Sequence, residues 1–265
     1  MLGPALFCVD AFADHIGAGN PAGVCLLGQP ADPGWMQTLA REMNLSETAF
    51  VTRERKGFGL QWFTPRTEVD LCGHATLATA HILWEDGYLG GDAPARFFTK
   101  SGIITAKRAG DFIELDFPAM PEEPAPAPAG LSDALGIQPC YTGKNRFDYL
   151  IEVSSEREVR KTTPDFSGLS KIPMRGVIVT SRAATPGFDF VSRFFAPSVG
   201  VNEDPVTGSA HCCLAPYWQK KLQKNMLTAY QASERGGVLR IRLDPPDRVA
   251  IAGTAITVWK GSPES

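Results

Sequence analysis

Three features predict an α+β fold made of two similar halves. Short segments rich in Val, Ile, Phe and Thr dominate the chain, and helix-like segments are few. A Pro-rich stretch lies near the midpoint. One loop pattern occurs once on each side of that stretch. The length of 265 residues accommodates two modest domains.

Strands are expected at Leu6–Phe12, Gly23–Leu27, Thr48–Arg53, Leu60–Thr64, Phe112–Phe117, Tyr149–Val153, Gly176–Thr180, Phe188–Phe195, Val238–Leu243 and Ala255–Trp259. Several alternate with period two, as Val238-Leu239-Arg240-Ile241-Arg242-Leu243 does. Three helices are expected. One spans Pro33–Asn44 with Asp32 as N-cap and Pro33 at its first position. The others run from His74 to about Glu85 and from Ser209 to about Leu222, where Pro216 should kink the helix or move its boundary. Prolines at 118, 121, 124, 126 and 128 exclude helix and central strand. They predict an extended linker over 120–128, between a first domain at 1–119 and a second at 129–265.

The repeated pattern is specific. The first half carries Phe63-Thr64-Pro65, then Glu68-Val69-Asp70-Leu71-Cys72-Gly73-His74-Ala75. The second carries Phe195-Ala196-Pro197, then Glu203-Asp204-Pro205-Val206-Thr207-Gly208-Ser209-Ala210. In each, a strand and an F-x-P turn lead to a Gly that opens a helix of small residues. Such a start leaves backbone N–H groups open at the positive dipole end, where a carboxylate can bind. Each glycine alone also fits a plain tight turn; their recurrence favours two anion-binding starts.

Composition excludes several classes. Hydrophobic residues make up 43% and charged residues 21%, an ordinary globular balance. The net charge of −3 offers no basic stripe for nucleic acid. No apolar run approaches the roughly 18 residues of a spanning helix. The stretch Met1–Phe7 lacks a basic region and Asp10 follows closely, so no signal peptide is expected and the predicted location is cytoplasmic. The six cysteines, at 8, 25, 72, 140, 212 and 213, then default to free thiols.

Candidate chemistry rests on few side chains. Glu47, entering a strand through Asn44-Leu45-Ser46-Glu47-Thr48, shares a face with Ala49 and Val51. Desolvation there would raise its pKa toward that of a general acid/base. A strand-start Glu turned into solvent is the alternative. His74 at a helix start is expected to stay neutral and to hydrogen-bond, or simply to cap the turn. Asp204 is either an Asx-turn cap or a second carboxylate. His81 reads as packing; His15 and His211 stay open. Gly17-Ala18-Gly19-Asn20-Pro21-Ala22 fits G-x-G-x-x-A but precedes a strand, so it is no dinucleotide fingerprint. Cys72-x-His74 and His211-Cys212-Cys213 lack a paired set at zinc spacing. No cofactor and no metal is expected.

The stretches V-D-A-F (9–12), G-N-P-A-G-V (19–24), N-L-S-E-T-A-F (44–50), F-T-P (63–65) with E-V-D-L-C-G-H-A-T (68–76), and F-A-P (195–197) with E-D-P-V-T-G-S-A-H (203–211) resemble the PhzF family of phenazine-biosynthesis-like proteins. The resemblance implies a diaminopimelate-epimerase-like fold of two pseudo-symmetric domains, each a small β-barrel-like sheet around a central helix. It implies an inter-domain active site, usually a homodimer, and cofactor-independent isomerisation. The phenazine member moves a proton within trans-2,3-dihydro-3-hydroxyanthranilate. The resemblance makes Glu47 the acid/base and places substrate contacts at Gly73, His74, Asp204, Gly208 and Ser209. Epimerases of this fold carry a Cys before each Gly; here those positions hold Cys72 and Thr207, and a Thr hydroxyl is too weak an acid to act as the second thiol.

Three readings follow. The first is an isomerase that shifts a proton on a small cyclic or amino-acid-like carboxylate through Glu47. The second is an epimerase, racemase or dehydratase of an amino or hydroxy acid that uses Cys72. The third is a non-catalytic small-molecule binder.

Overall fold

The computed structural model of the chain describes residues 4–244 and 247–263. It divides into two compact units. One runs to Asp116 and takes the chain back from Ala252; the other is Phe117–Ile251.

The first unit opens with β1 (Ala5–Ala11) and β2 (Asn20–Leu27), an antiparallel pair. Helix α1 (Pro33–Met43) crosses to β3 (Glu47–Glu54), which lies parallel to β2 with Ala22 opposite Glu47. Asp32 caps α1 as expected, accepting from Trp35 N at 3.0 Å. Asn44 ends it in the left-handed region, φ 49°. Strand β4 (Gly57–Phe63) returns antiparallel to β3, and β5 (Glu68–Val69) is a short addition to it. Helix α2 (Gly73–Glu85) follows, then β6 (Ala95–Thr99), parallel to β4, and β7 (Gly102–Ala109), antiparallel to β6. Strand β8 (Phe112–Pro118) pairs with β7 and carries the chain onward.

The second unit repeats this order. After β9 (Glu123–Pro124) and α3 (Leu131–Leu135), β10 (Tyr141–Lys144) and β11 (Asp148–Glu152) are antiparallel. Two short helices, α4 (Glu156–Lys161) and α5 (Phe166–Leu169), cross to β12 (Gly176–Arg182), parallel to β11. Then β13 (Phe190–Phe195) is antiparallel to β12. Helix α6 (Gly208–Leu222) leads to β14 (Met226–Gln231), parallel to β13, and to β15 (Gly237–Asp244), antiparallel to β14. Strand β16 (Arg248–Gly253) brings the chain back, and β17 (Ala255–Gly261) pairs antiparallel with β1. The loop repeat is thus part of a repeat of whole ladders, each with one long helix inserted at the same step.

That helix is the centre of each unit. Every residue of α2 from His74 to Ala80, and from Ile82 to Trp84, is buried. A helix apolar all round has no solvent face and must be enclosed. Its two threonines are satisfied within the helix: Thr76 Oγ1 donates to Cys72 O at 2.6 Å and Thr79 Oγ1 to Ala75 O at 2.7 Å. Helix α6 is buried from Ala210 to Trp218, with the Trp218 ring stacked on Phe190 and its Nε1 donating to Thr180 Oγ1 at 3.0 Å. It runs through Pro216 without ending there. Helix α1 instead lies outside its sheet, burying Met36 and Ala40 against Leu6, Cys25, Phe50 and Phe63.

Two expectations change. The stretch after Pro118 is not a bare linker: Glu123–Pro124 adds an edge strand to β10, and Ala125 N donates to Thr142 O at 3.1 Å. An edge tolerates proline because one side of the strand needs no donor. The chain therefore changes units at 116/117 rather than over 120–128, and its last strand belongs with the first unit. Sequence reading also missed β6, β7, β10, β14 and β16 and the two-residue β5 and β9; β6, β7 and β10 carry exposed charges at Arg96, Lys107, Arg108 and Lys144, and β14 opens on exposed Met226. Among the described residues, no helix is long and apolar enough to cross a membrane.

Glu156 ties α4 to the loop after β12. It is buried, accepting from Ala184 N (2.7 Å), Thr185 N (2.8 Å), Thr185 Oγ1 (2.7 Å) and Arg160 Nε (2.8 Å). Burial alone would raise its pKa, but these hydrogen bonds outweigh burial and lower it to about 2. Its contribution is present above the usual carboxylate range and lost as pH falls toward 2. Glu156→Ala leaves those donors unpaired and should cost about 2–4 kcal/mol, read as a lower denaturation midpoint. Exposed Arg157→Ala on the same helix should stay within about 0.5 kcal/mol.

Candidate active site

The start of α2 assembles four side chains from separate strands and turns. Glu47 opens β3, and its side chain is 20% exposed, enough to meet a ligand. His74 is the second residue of α2 and is buried. Cys72 precedes the helix in extended conformation and makes no side-chain cap. Asn20 begins β2, fully buried. Gly19 places it there: φ is +65°, and a Cβ would lie 2.2 Å from Ala11 O. Gly23 lets β2 approach β3, since a Cβ would meet Thr48 Oγ1 at 2.8 Å.

The Asn20 amide, as it is oriented, assigns the His74 tautomer. Ser46 Oγ donates to Asn20 Oδ1 at 3.4 Å, which turns Asn20 Nδ2 toward His74 Nδ1 at 3.3 Å. An amide NH₂ only donates, so Nδ1 accepts. The Cys72 thiol lies 3.6 Å from the same nitrogen. The ring proton therefore sits on Nε2, 3.3 Å from Glu47 Oε2. That approach lacks hydrogen-bond alignment, and Nε2 is buried with no other partner. The contact is not an ion pair either, because burial pushes the His74 pKa down to about 3 and the imidazole is neutral. An uncharged donor thus stands unspent beside a reachable carboxylate.

Donor atoms of Glu47, Cys72 and His74 lie within 4.8 Å of one another, close enough to be weighed as a metal site. A single His74 nitrogen lies within that distance of both other donors.

The second unit holds the other expected residues. Asp204 Oδ2 accepts from Thr207 Oγ1 at 2.5 Å, a side-chain bond within its own loop. Gln231, which sequence reading missed, accepts from Thr207 N at 2.8 Å and donates to Asp204 O at 2.7 Å. Gly208 is the first residue of α6, and Thr207 before it gives no side-chain cap. Ser209 Oγ accepts from Arg175 Nη2 at 3.2 Å. His211 Nδ1 pairs with Thr207 O at 2.8 Å, Nε2 is unpaired, and burial lowers its pKa to about 4. His15 is exposed beside Asp14, and His81 Nε2 lies 3.1 Å from Thr257 Oγ1, so neither joins the cluster.

Known proteins match both the sequence and this architecture. The profile of the family described as phenazine biosynthesis-like protein (PhzC-PhzF) covers residues 9–261. A protein of Halalkalibacterium halodurans described as an uncharacterized isomerase is 56% identical over 98% of both chains. The crystal structure of a PhzF-family protein from Enterococcus faecalis superposes with a TM-score of 0.95 at 41% identity, covering 100% of each chain. A probable proline racemase from Agrobacterium radiobacter shares the fold alone, with a TM-score of 0.68 at 11% identity over 98% and 93% of the two chains. The class is an isomerase of diaminopimelate-epimerase-like fold. The chain belongs to the phenazine biosynthesis-like family.

The two buried histidines set an acid limit. Each is neutral when folded but takes a proton below about pH 6.5 when unfolded. Stability is therefore full above that value and falls as pH drops, by about 1.4 kcal/mol per pH unit for each, until the folded pKa is reached. Urea unfolding at pH 7.5, 6 and 5 should show this slope, and His211→Gln should reduce it. ¹⁵N spectra of His74 should show the Nε2–H tautomer with no titration between pH 5 and 8.

Proposed function

We propose that the protein is a cofactor-independent isomerase that shifts a proton on a small cyclic or amino-acid-like carboxylate, in the manner of a dihydro-hydroxyanthranilate. Glu47 takes the proton from one carbon and returns it to another on the same face. The observation that supports this is the partly exposed Glu47 carboxylate beside the unspent Nε2–H of neutral His74. A general base must be reachable, and a neutral donor can stabilise an enolic oxygen without taking the negative charge as a counter-ion would. Asn20 and Ser46 hold the ring in the tautomer this requires. Gly73 and His74 at one helix start, and Asp204, Gly208 and Ser209 at the other, are the proposed substrate contacts. A cytoplasmic homodimer completes the reading.

A second reading has one observation behind it: the Cys72 thiol lies 3.6 Å from His74 Nδ1. A Cys–His pair suits epimerisation or dehydration. Its counterpart position, Thr207, has a hydroxyl engaged with Asp204 and Gln231, which weighs against a two-base mechanism.

A thermal-shift screen of cyclic and amino carboxylates, followed by NMR of solvent deuterium exchange on each hit, tests both. Glu47→Gln should lower exchange by at least about 10³-fold with ligand affinity nearly unchanged. Unimpaired exchange by that variant would sink the proposal. Cys72→Ser should keep most exchange; a large loss favours the second reading. Exchange should persist after dialysis against EDTA. Absence of exchange across the panel would revive a binding protein without catalysis.

A further inference from the structure

Arg175 joins a candidate substrate contact to a cavity that the proton-transfer reading does not use. Its Nε donates to Asp148 Oδ1 at 2.8 Å, and its Nη2 bonds both Asp148 Oδ2 and, at 3.2 Å, Ser209 Oγ. Phe147 and Phe194 hold the guanidinium, with centroids 5.2 and 5.6 Å from its carbon. The Asp148 side chain is 1% exposed and that of Arg175 is 34% exposed. The carboxylate therefore anchors the arginine from beneath, while Nη1 makes no hydrogen bond to any described residue.

That arginine lines a cavity of about 500 Å³ with Lys144, Asn145, Arg146, Phe147 and Tyr149. Among the described residues, Lys144 stands across the ladder from Glu123 without an ion pair, and Arg146 lies over the Phe147 ring with no carboxylate partner. The Asn145 side chain pins the loop, Oδ1 accepting from Phe147 N and Asp148 N at 2.8 Å each. Three cations therefore converge on one cavity, and its single carboxylate is already committed to Arg175. Two cations without a carboxylate partner, Lys144 and Arg146, beside a guanidinium that Asp148 orients, leave the wall with a net positive charge that suits an oxyanion.

We propose that this cavity is an oxyanion subsite, taking a carboxylate or phosphate group of a ligand whose other end reaches Ser209. The link to the substrate rests on the proposed role of Ser209; the anion site itself does not. The substrate class narrows to molecules with two anionic groups, either dicarboxylates or phosphorylated carboxylates.

The test is a ¹⁵N NMR titration with inorganic phosphate and, separately, succinate, with ionic strength held constant by sodium chloride. Saturable shifts are expected at the Arg175 Nε–H and at the Asn145, Phe147 and Ser209 amides. Saturation by phosphate alone points to phosphorylated ligands, and by succinate alone to dicarboxylates; either supports the subsite. The double variant Lys144→Gln, Arg146→Gln removes two exposed, unpaired cations, so its fold should be intact, and it should weaken binding by about tenfold or more. No saturable shift with either anion, or unchanged affinity in the double variant, overturns the proposal. Glu47→Gln should bind both anions as the wild type does, so failure of the proton-transfer reading and failure of this one are separately visible.

Discussion

A helix enclosed on all sides has nowhere to send the polar groups at its start, and much of this molecule is arranged around that constraint. In α2 the run from His74 to Trp84 is buried but for His81. Beyond half-buried Gly73, water reaches little of the first turn, so the protein must serve the rest. Thr76 and Thr79 fold their hydroxyls back onto carbonyls one turn earlier. His74 stays neutral because a charged imidazole would be desolvated there. Its Nδ1 is met by Asn20, which only a glycine turn could deliver to that depth. One donor, Nε2, remains unspent beside Glu47.

The second unit meets the same constraint differently. Thr207 N is held by the Gln231 side chain, Thr207 Oγ1 by Asp204, and Thr207 O by His211. The helix-start loop there is braced by its own side chains, while Ser209 is reached by the clamped Arg175. The repeat thus yields one start with an unspent donor beside a carboxylate and one braced start with an arginine at its edge. In the proposed reading the first serves proton transfer and the second holds an anion, and a few differing side chains within matching ladders separate the two.

Legibility differed by residue. Glu47, Gly73, His74, Asp204, Gly208 and Ser209 stood out because each lies inside a short continuous motif. Asn20 did not, although it too lies in a motif, G-N-P-A-G-V: its meaning depends on a histidine 54 positions away. Ser46 was hidden for the same reason. Gln231 and Arg175 sit on separate segments with no local pattern, and only the parallel pairing of β13 with β14 and the return of β12 bring them to the α6 start. Among the elements, amphipathic or capped segments were readable, as α1 was from Asp32-Pro33. Strands such as β7, with Lys107 and Arg108 exposed, were not, because their stability comes from neighbours rather than from their own sequence.

The sequence by itself determined the α+β class, the duplication, the glycine-opened helices and the motif residues that face one another across short distances along the chain. These are local quantities, set by backbone sterics, caps and side-chain period. Tertiary structure decided what no local pattern encodes: where the Pro-rich stretch and the last strand belong, which tautomer His74 adopts, and which cations share a cavity. Each depends on burial and on partners far apart in sequence. A hydrogen bond or a desolvation penalty exists only once the fold has excluded water from between them.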